Sequence, residues 1–287
     1  VLRTLFAAVA AGSAAGVLLI IQCVILGRAV DDVIVSGAGL PALYPAMGWL
    51  LAVAAARALL MWSGETLGGR AAAFAKTRLR QQALIATIRG GPAAQQAGPA
   101  GETLHTLTNG LDQLDPYVAQ FMPQAALSLV VPLLVLTAVA WLDPLSAVVL
   151  AVTGPLMPLF MWLIGSTART RARRQWKTMA RLSARFLDAI RSLATLTVFG
   201  AAEAEADVLA SRGRTFRDVT MAVLRVAFLS ALVLELLGTI GVAIVSVEVG
   251  LRLLYGHIAF RDAFVVLLLA PEFYRPLRTL GAAFHAG

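Results

Sequence analysis

The chain has 287 residues, 59% of them hydrophobic and 14% charged, with a mean hydropathy of +0.79 and a net charge of +8. Soluble domains carry about 25% charged residues, so this composition excludes a soluble enzyme or binding module and describes an integral membrane protein. The single cysteine, Cys23, rules out a disulfide within the chain, and the excess of arginine does not form the folded basic domain that nucleic-acid binding requires.

A membrane-crossing helix needs about 20 mostly apolar residues. Six stretches qualify: 4–26, 43–62, 117–141, 145–164, 226–249 and 260–284, the last being the least uniform. The predicted fold is therefore an all-α membrane protein with six transmembrane helices. The first stretch is too long for a signal peptide and has no small-residue cleavage signature before Gly27. Val1 is not an initiator methionine, so residues are expected to precede it.

Lysine and arginine set the expected orientation. Residues 70–90 hold five of them and 166–225 hold twelve, whereas the alternate connections hold only Arg28, Arg252 and Arg261. Positive residues accumulate on the cytoplasmic side. Both chain ends and the two long connections are therefore expected there, and in a bacterium the membrane is the inner one.

The long connections read as helical rods. Proline is absent from Ala46 to Gly91, a segment rich in good helix formers. At 1.5 Å per residue such a rod reaches roughly 65 Å, about twice the hydrocarbon thickness. The second connection lacks proline between Pro158 and Pro271. Met179, Leu182, Phe186, Ile190 and Leu193 recur at three- and four-residue steps, an apolar stripe for a neighbouring helix. Arg181, Arg185 and Asp188 take another face. Gly200 and Gly213 bracket "AAEAEADVLASR", where the chain is expected to reverse.

These features resemble the transmembrane domain of ABC exporters. "GETLHTLTNGLDQLD", Gly101 to Asp115, is similar to the first intracellular-loop motif of that family, departing from it at Gly110. "LATLTVFGAAEAEA", Leu193 to Ala206, is similar to the second, with Thr197 where lysine is common. The resemblance implies that Glu102, Thr108, Asp112, Gly200, Glu203 and Glu205 belong to coupling segments that dock on ATP-binding domains. A finer resemblance covers most of the second half. "RLSARFLDAIRSLATLTVFG", "VLRVAFLSALVLE" and "APEFYRPLRTLG" resemble the CydD type, one half of the CydDC heterodimeric exporters required for cytochrome bd assembly. That implies a CydC-like partner, a lipid-embedded complex, and a cargo of thiols (cysteine, glutathione) or haem. ATP and Mg would enter through an ATP-binding domain. No G-x-x-x-x-G-K-[ST] phosphate loop is present, and neither lysine, Lys76 or Lys177, follows a glycine. The chain is thus expected to be a fragment or isolated domain that does not hydrolyse ATP alone. A generic ABC exporter for lipid, peptide or drug shares the broader features. A non-ABC transporter or scaffold shares only the spans and projections.

Charged residues inside apolar runs mark candidate cargo contacts, because at the bilayer centre they face protein or a water-filled cavity. Arg57, Glu235, Glu272, Arg275 and Arg278 form this set, with Glu248 placed near the outer end of the fifth span, where it meets water or Arg252. Arg57 and Glu235 suit either an inter-helix ion pair or a cargo contact. Glu272 and Arg275 are spaced to pair with each other. Arg275 and Arg278 are also spaced to present guanidinium groups to an anionic cargo. Pro271 and Pro276 favour a kink in the sixth helix. His285 follows as a candidate haem contact, against the plainer reading of a cation-capable group near a helix C-terminus.

Overall fold

A computed structural model describes residues 2–37, 39, 43–89 and 117–286. The helices are α1 (Leu2–Ile34), α2 (Tyr44–Arg89), α3 (Met122–Leu142), α4 (Pro144–Thr153), α5 (Leu156–Arg191), α6 (Leu193–Val198), α7 (Ala202–Leu254) and α8 (Phe260–Ala286). A π-helical turn, Tyr117–Phe121, leads into α3. Among the described residues there is no strand, as the sequence requires. The chain forms two compact units, one from Val1–Met157 with Leu237–Gly287 and the other from Pro158–Leu236.

In the first unit α1 packs against α2, α3 and α8, and α3 packs against α8. The sequence explains why α1 can approach so closely. Gly12 lies against Leu127 and Gly16 against Val131, both on α3, while Gly27 admits Val265 of α8. Lipid tails are as apolar as leucine, so close van der Waals packing over small residues is what draws such helices together. Ala8, Ala15 and Leu19 complete the buried face.

The most polar span is the best enclosed. Among the described residues five helical segments are long and apolar enough to cross a membrane: Leu2–Ile34, Tyr44–Gln82, Tyr117–Leu142, Pro144–Ile164 and Ala202–Leu254. The sixth span corresponds to α8, whose Arg261, Asp262, Glu272, Arg275 and Arg278 dilute its apolar content. Yet Ala263, Val265, Val266, Leu269, Ala270, Phe273 and Tyr274 are almost completely buried. They repeat at three- and four-residue steps, so protein rather than lipid covers that stripe. The buried Tyr274 hydroxyl lies 2.6 Å from Thr153 Oγ1, and Gly241 leaves room for its ring. Without that partner the hydroxyl would be costly to bury. The helix runs through Pro271 and Pro276 as one element. Gln124 Nε2 donates to the Pro276 carbonyl at 3.2 Å.

The expected span 145–164 is divided at Gly154–Pro155 into α4 and α5. Pro155 has no N–H to continue the helical ladder. Gly154 fits where it stands because a Cβ there would lie 2.7 Å from the Phe273 ring. Span lengths also exceed the sequence boundaries, α2 reaching 46 residues and α7 reaching 53.

In the second unit α5 and α7 run antiparallel. Arg171 Nη1 donates to the Ala222 carbonyl at 3.2 Å, Gln175 Nε2 to Thr220 Oγ1 at 3.1 Å, and Arg185 Nη2 to Glu205 Oε2 at 2.6 Å. The reversal comes earlier than the two glycines suggest. Gly200, at φ 66°, follows α6, with its N–H on the Thr197 carbonyl and that of Ala201 on the Leu196 carbonyl. That pair of bonds is a Schellman stop, for which glycine is favoured. Gly213 instead sits inside α7 and makes no turn, because the helix restarts at Ala202 with Glu203 and Glu205 in its favourable first turn. The apolar stripe of α5 is only partly covered: Phe186, Ile190 and Leu193 meet Ala202, Ala206 and Leu209 around a small cleft, and Met179 is exposed.

Candidate substrate-pathway site

Two groups of polar residues are embedded in the first unit. The first closes one end of the bundle. Asp143 ends α3 and caps α4, its Oδ2 accepting the Ser146 backbone N–H at 3.1 Å and the Ser146 hydroxyl. That hydroxyl also reaches Glu248 Oε2 at 2.9 Å. Arg252 Nη1 donates to Asp143 Oδ1 at 2.7 Å and to Glu248 Oε1 at 2.9 Å. Asp143 is only 2% exposed. Burial pushes its carboxyl up, but the hydrogen bonds from Ser146 and Arg252 outweigh this and hold it below the usual carboxylate range. Both carboxylates are therefore compensated within the protein. The sequence pairing of Glu248 with Arg252 is present, and the third partner, Asp143, comes from 109 positions away.

The second group lies deeper. Arg57 Nη1 of α2 donates to Gln22 Oε1 of α1 at 3.4 Å, and both residues are half-buried. Among the described residues of this unit, Gln22 is the only hydrogen-bond partner of Arg57. The neighbouring Cys23 is buried. Gln22, Arg57 and Glu272 share one level: each stands about 18–20 Å along its helix from Ile34, Tyr44 or Phe260, at 1.5 Å per residue. These three ends lie on the same side of the bundle, since successive helices alternate in direction. An arginine at the centre of a bilayer costs on the order of 2.5–3.5 kcal/mol on insertion scales. A carboxylate would offset that, and Gln22 supplies only a neutral oxygen.

The remaining sequence candidates divide by place. Glu272 accepts Arg275 Nη1 at 3.2 and 3.4 Å, the local pair that their spacing allows, with Arg275 largely exposed. Arg278 lies over Gly238, its Cδ within 3.4 Å of where a Cβ would stand. Glu235 belongs to the second unit, on the exposed side of α7. Gly200, Glu203 and Glu205 gather at the reversal of the second unit, with Glu205 tied to Arg185 and Glu203 exposed. Val198 and Phe199, at 81% and 79% exposed, project from the same turn. Glu102, Thr108 and Asp112 lie outside the described residues, as does the side chain of His285.

A cavity of about 390 Å³ lies further along α1 and α2, with neither Arg57 nor Gln22 in its lining. Ala8 and Gly12 of α1, Leu60, Met61, Gly64 and Glu65 of α2, and Thr279 of α8 line it, together with Gln120, Gln124 and their neighbours at the start of α3. Arg57 stands one helical turn from Leu60 and Met61, on the same face. Gln22, Glu65, Gln120, Gln124 and Thr279 were not singled out by sequence reasoning. Gln22 carried a usable signal, a lone amide within "LLIIQCVIL". The others sit at span edges, where polar residues are common.

Comparison with known proteins agrees with this architecture. The model of the ABC transporter transmembrane region family matches residues 5–277. The chain belongs to that family. It is 36% identical over 283 residues to the glutathione/L-cysteine transport system ATP-binding/permease protein CydD of Escherichia coli, covering 96% of this chain and 48% of that protein. It is 33% identical over 277 residues to CydD of Haemophilus influenzae, covering 93% and 47%. It is likewise 33% identical over 268 residues to CydC of Bacillus subtilis, covering 93% and 47%. The chain thus spans about half the length of the curated relatives it matches. As an ABC transmembrane region with several long apolar helices, it is a multi-pass membrane protein.

Proposed function

We propose that this chain is the transmembrane part of a CydD-type subunit in an ATP-driven exporter of small thiols, cysteine and glutathione, needed for cytochrome bd assembly. The similarity along nearly the whole chain to proteins named for glutathione/L-cysteine transport carries the reading. Relatives of both names match, so the choice of CydD over CydC rests on the stretches "VLRVAFLSALVLE" and "APEFYRPLRTLG". The working unit pairs the chain with a CydC-like subunit and two ATP-binding domains in the bacterial inner membrane. The arginine-rich connections and both ends face the cytoplasm.

The turn at Gly200 supports the coupling role. It is fixed by its Schellman bonds and by Arg185–Glu205, yet presents Val198 and Phe199 outward. A rigid turn with an apolar tip suits insertion into a cleft of another domain, where bulky apolar residues supply most of the binding energy. The test is the complete heterodimer reconstituted in inside-out vesicles. ATP-dependent uptake of labelled cysteine and glutathione is expected, with Phe199→Ala weakening the stimulation of ATP hydrolysis by either thiol. Uptake confined to lipid or hydrophobic drugs would instead place the chain among generic exporters.

A further inference from the structure

We propose that Arg57 and Gln22 form the point at which the pathway holds a carboxylate of its cargo. The proposal rests on the thiol-exporter reading and adds to it the residues and the recognised group.

Of the charged residues at this level, Glu272 and Arg275 neutralise one another within a single helix. Arg57 differs. Among the described residues of the unit its hydrogen bond goes to a neutral amide oxygen, and no ion pair joins it there. An anion completes it. The guanidinium is a planar fork that holds a carboxylate through two parallel hydrogen bonds. Gln22 occupies one donor edge through Oε1, which fixes the rotation of the fork and leaves its other N–H groups free to donate. The amide N–H₂ of Gln22 is a further donor, carried by the same group as the accepting oxygen. Two donor groups from two tightly packed helices make a preformed carboxylate receptor.

The surroundings limit what the carboxylate can belong to. The cavity one turn away along α2 is lined by Ala8, Gly12, Leu60, Met61 and Gly64, with Gln120 and Gln124 at one edge. About 390 Å³ accommodates a small peptide or an amino-acid derivative, at the lower end of the sizes of ligand pockets. The ligand class is thus a small carboxylate-bearing molecule with a largely apolar or thiol-bearing remainder. Cys23 is buried, and the contact with the carboxylate is one of hydrogen bonds and charge alone.

The test uses the full heterodimer in inside-out vesicles and compares two probes, glutathione and its diethyl ester, in which both carboxylates are masked. Wild type is expected to take up the free acid in preference to the diester. Arg57→Gln should raise KM for glutathione on the order of 10- to 100-fold, the range for loss of a charge-assisted hydrogen bond, and bring the acid-to-ester ratio to about one. Gln22→Leu should cause a smaller rise, and Arg57→Lys should restore part of the ratio because it keeps charge but not the fork. Co-purification of the two subunits is followed in parallel. If Arg57→Gln keeps the wild-type preference for the free acid, or if its main effect is loss of the partner subunit, the carboxylate proposal fails while thiol export stands. If wild type takes up neither probe, both readings fall together.

Discussion

The two embedded polar groups of the first unit have similar components and opposite electrostatics. Around Asp143, two carboxylates meet one guanidinium and one hydroxyl, and every charge has a partner inside the protein. Around Arg57, a guanidinium meets an amide and no carboxylate among the described residues of its unit. Charge buried with its partners costs little more once the bundle has formed, whereas charge buried without them persists only if something else repays it. The first arrangement locks the α3–α4 turn to α7. The second is poised to bind.

That contrast is open to direct test. The largest effect is expected at Asp143. Asp143→Ala leaves Arg252 with one carboxylate fewer and removes the α4 cap, and should destabilise the protein by about 3 kcal/mol, read by thermal unfolding in detergent. A single-residue loss below about 0.5 kcal/mol would mean that the cluster is dispensable, against the typical cost of breaking a buried pair. Gly241→Ala comes next. Its methyl group would occupy the space of the Tyr274 ring, and overpacking of this kind costs about 1–3 kcal/mol.

The Asp143 carboxyl also predicts a pH dependence. Its native pKa is depressed by Ser146 and Arg252 despite burial, so its contribution is fully present above the unfolded-state pKa. That contribution disappears as pH falls through the depressed native value. Wild type should lose unfolding temperature on acidification, and Asp143→Asn should show a shallower acid limb from a lower starting point. Parallel curves for the two proteins would remove Asp143 as the titrating group. The smallest effect is expected at Glu272–Arg275, an exposed pair of the kind worth about 0–1 kcal/mol. Glu272→Gln and Arg275→Gln should each change stability by no more than about 0.5 kcal/mol, and the double variant should be no worse than either.

The spans were legible because roughly 20-residue apolar runs leave a chain few alternatives in lipid. The long continuations of α2, α5 and α7 were legible from the absence of proline. The sixth span looked weakest in sequence because a linear reading counts charges, and only the packed structure shows that Ala263 to Tyr274 face protein. The partnership of Asp143 with Arg252 was hidden by its sequence separation, although Glu248–Arg252 followed from helical spacing. Gly213 misled because glycine is tolerated within a helix at a cost of about 1 kcal/mol. A stop needs the positive φ and paired carbonyl bonds that Gly200 shows. Among the five charged pathway candidates, sequence gave no rank. Only the packed structure shows that Glu272 and Arg275 pair with each other while Arg57 meets Gln22.

The enclosure of α8 bears on how the chain is made. A helix carrying Glu272, Arg275 and Arg278 partitions poorly into lipid by itself, while its apolar stripe needs α1 and α3 as a receiving groove. It leaves the ribosome after α1 and α3, so it emerges when that groove already exists. Its entry into the bilayer is then a docking event rather than independent insertion. A chain in which Gly12, Gly16 and Gly27 are replaced by leucine should leave α8 outside the membrane, detected as glycosylation or protease access near Arg278 changing sides. Unaltered insertion of α8 in such a chain would show that it crosses on its own apolar content.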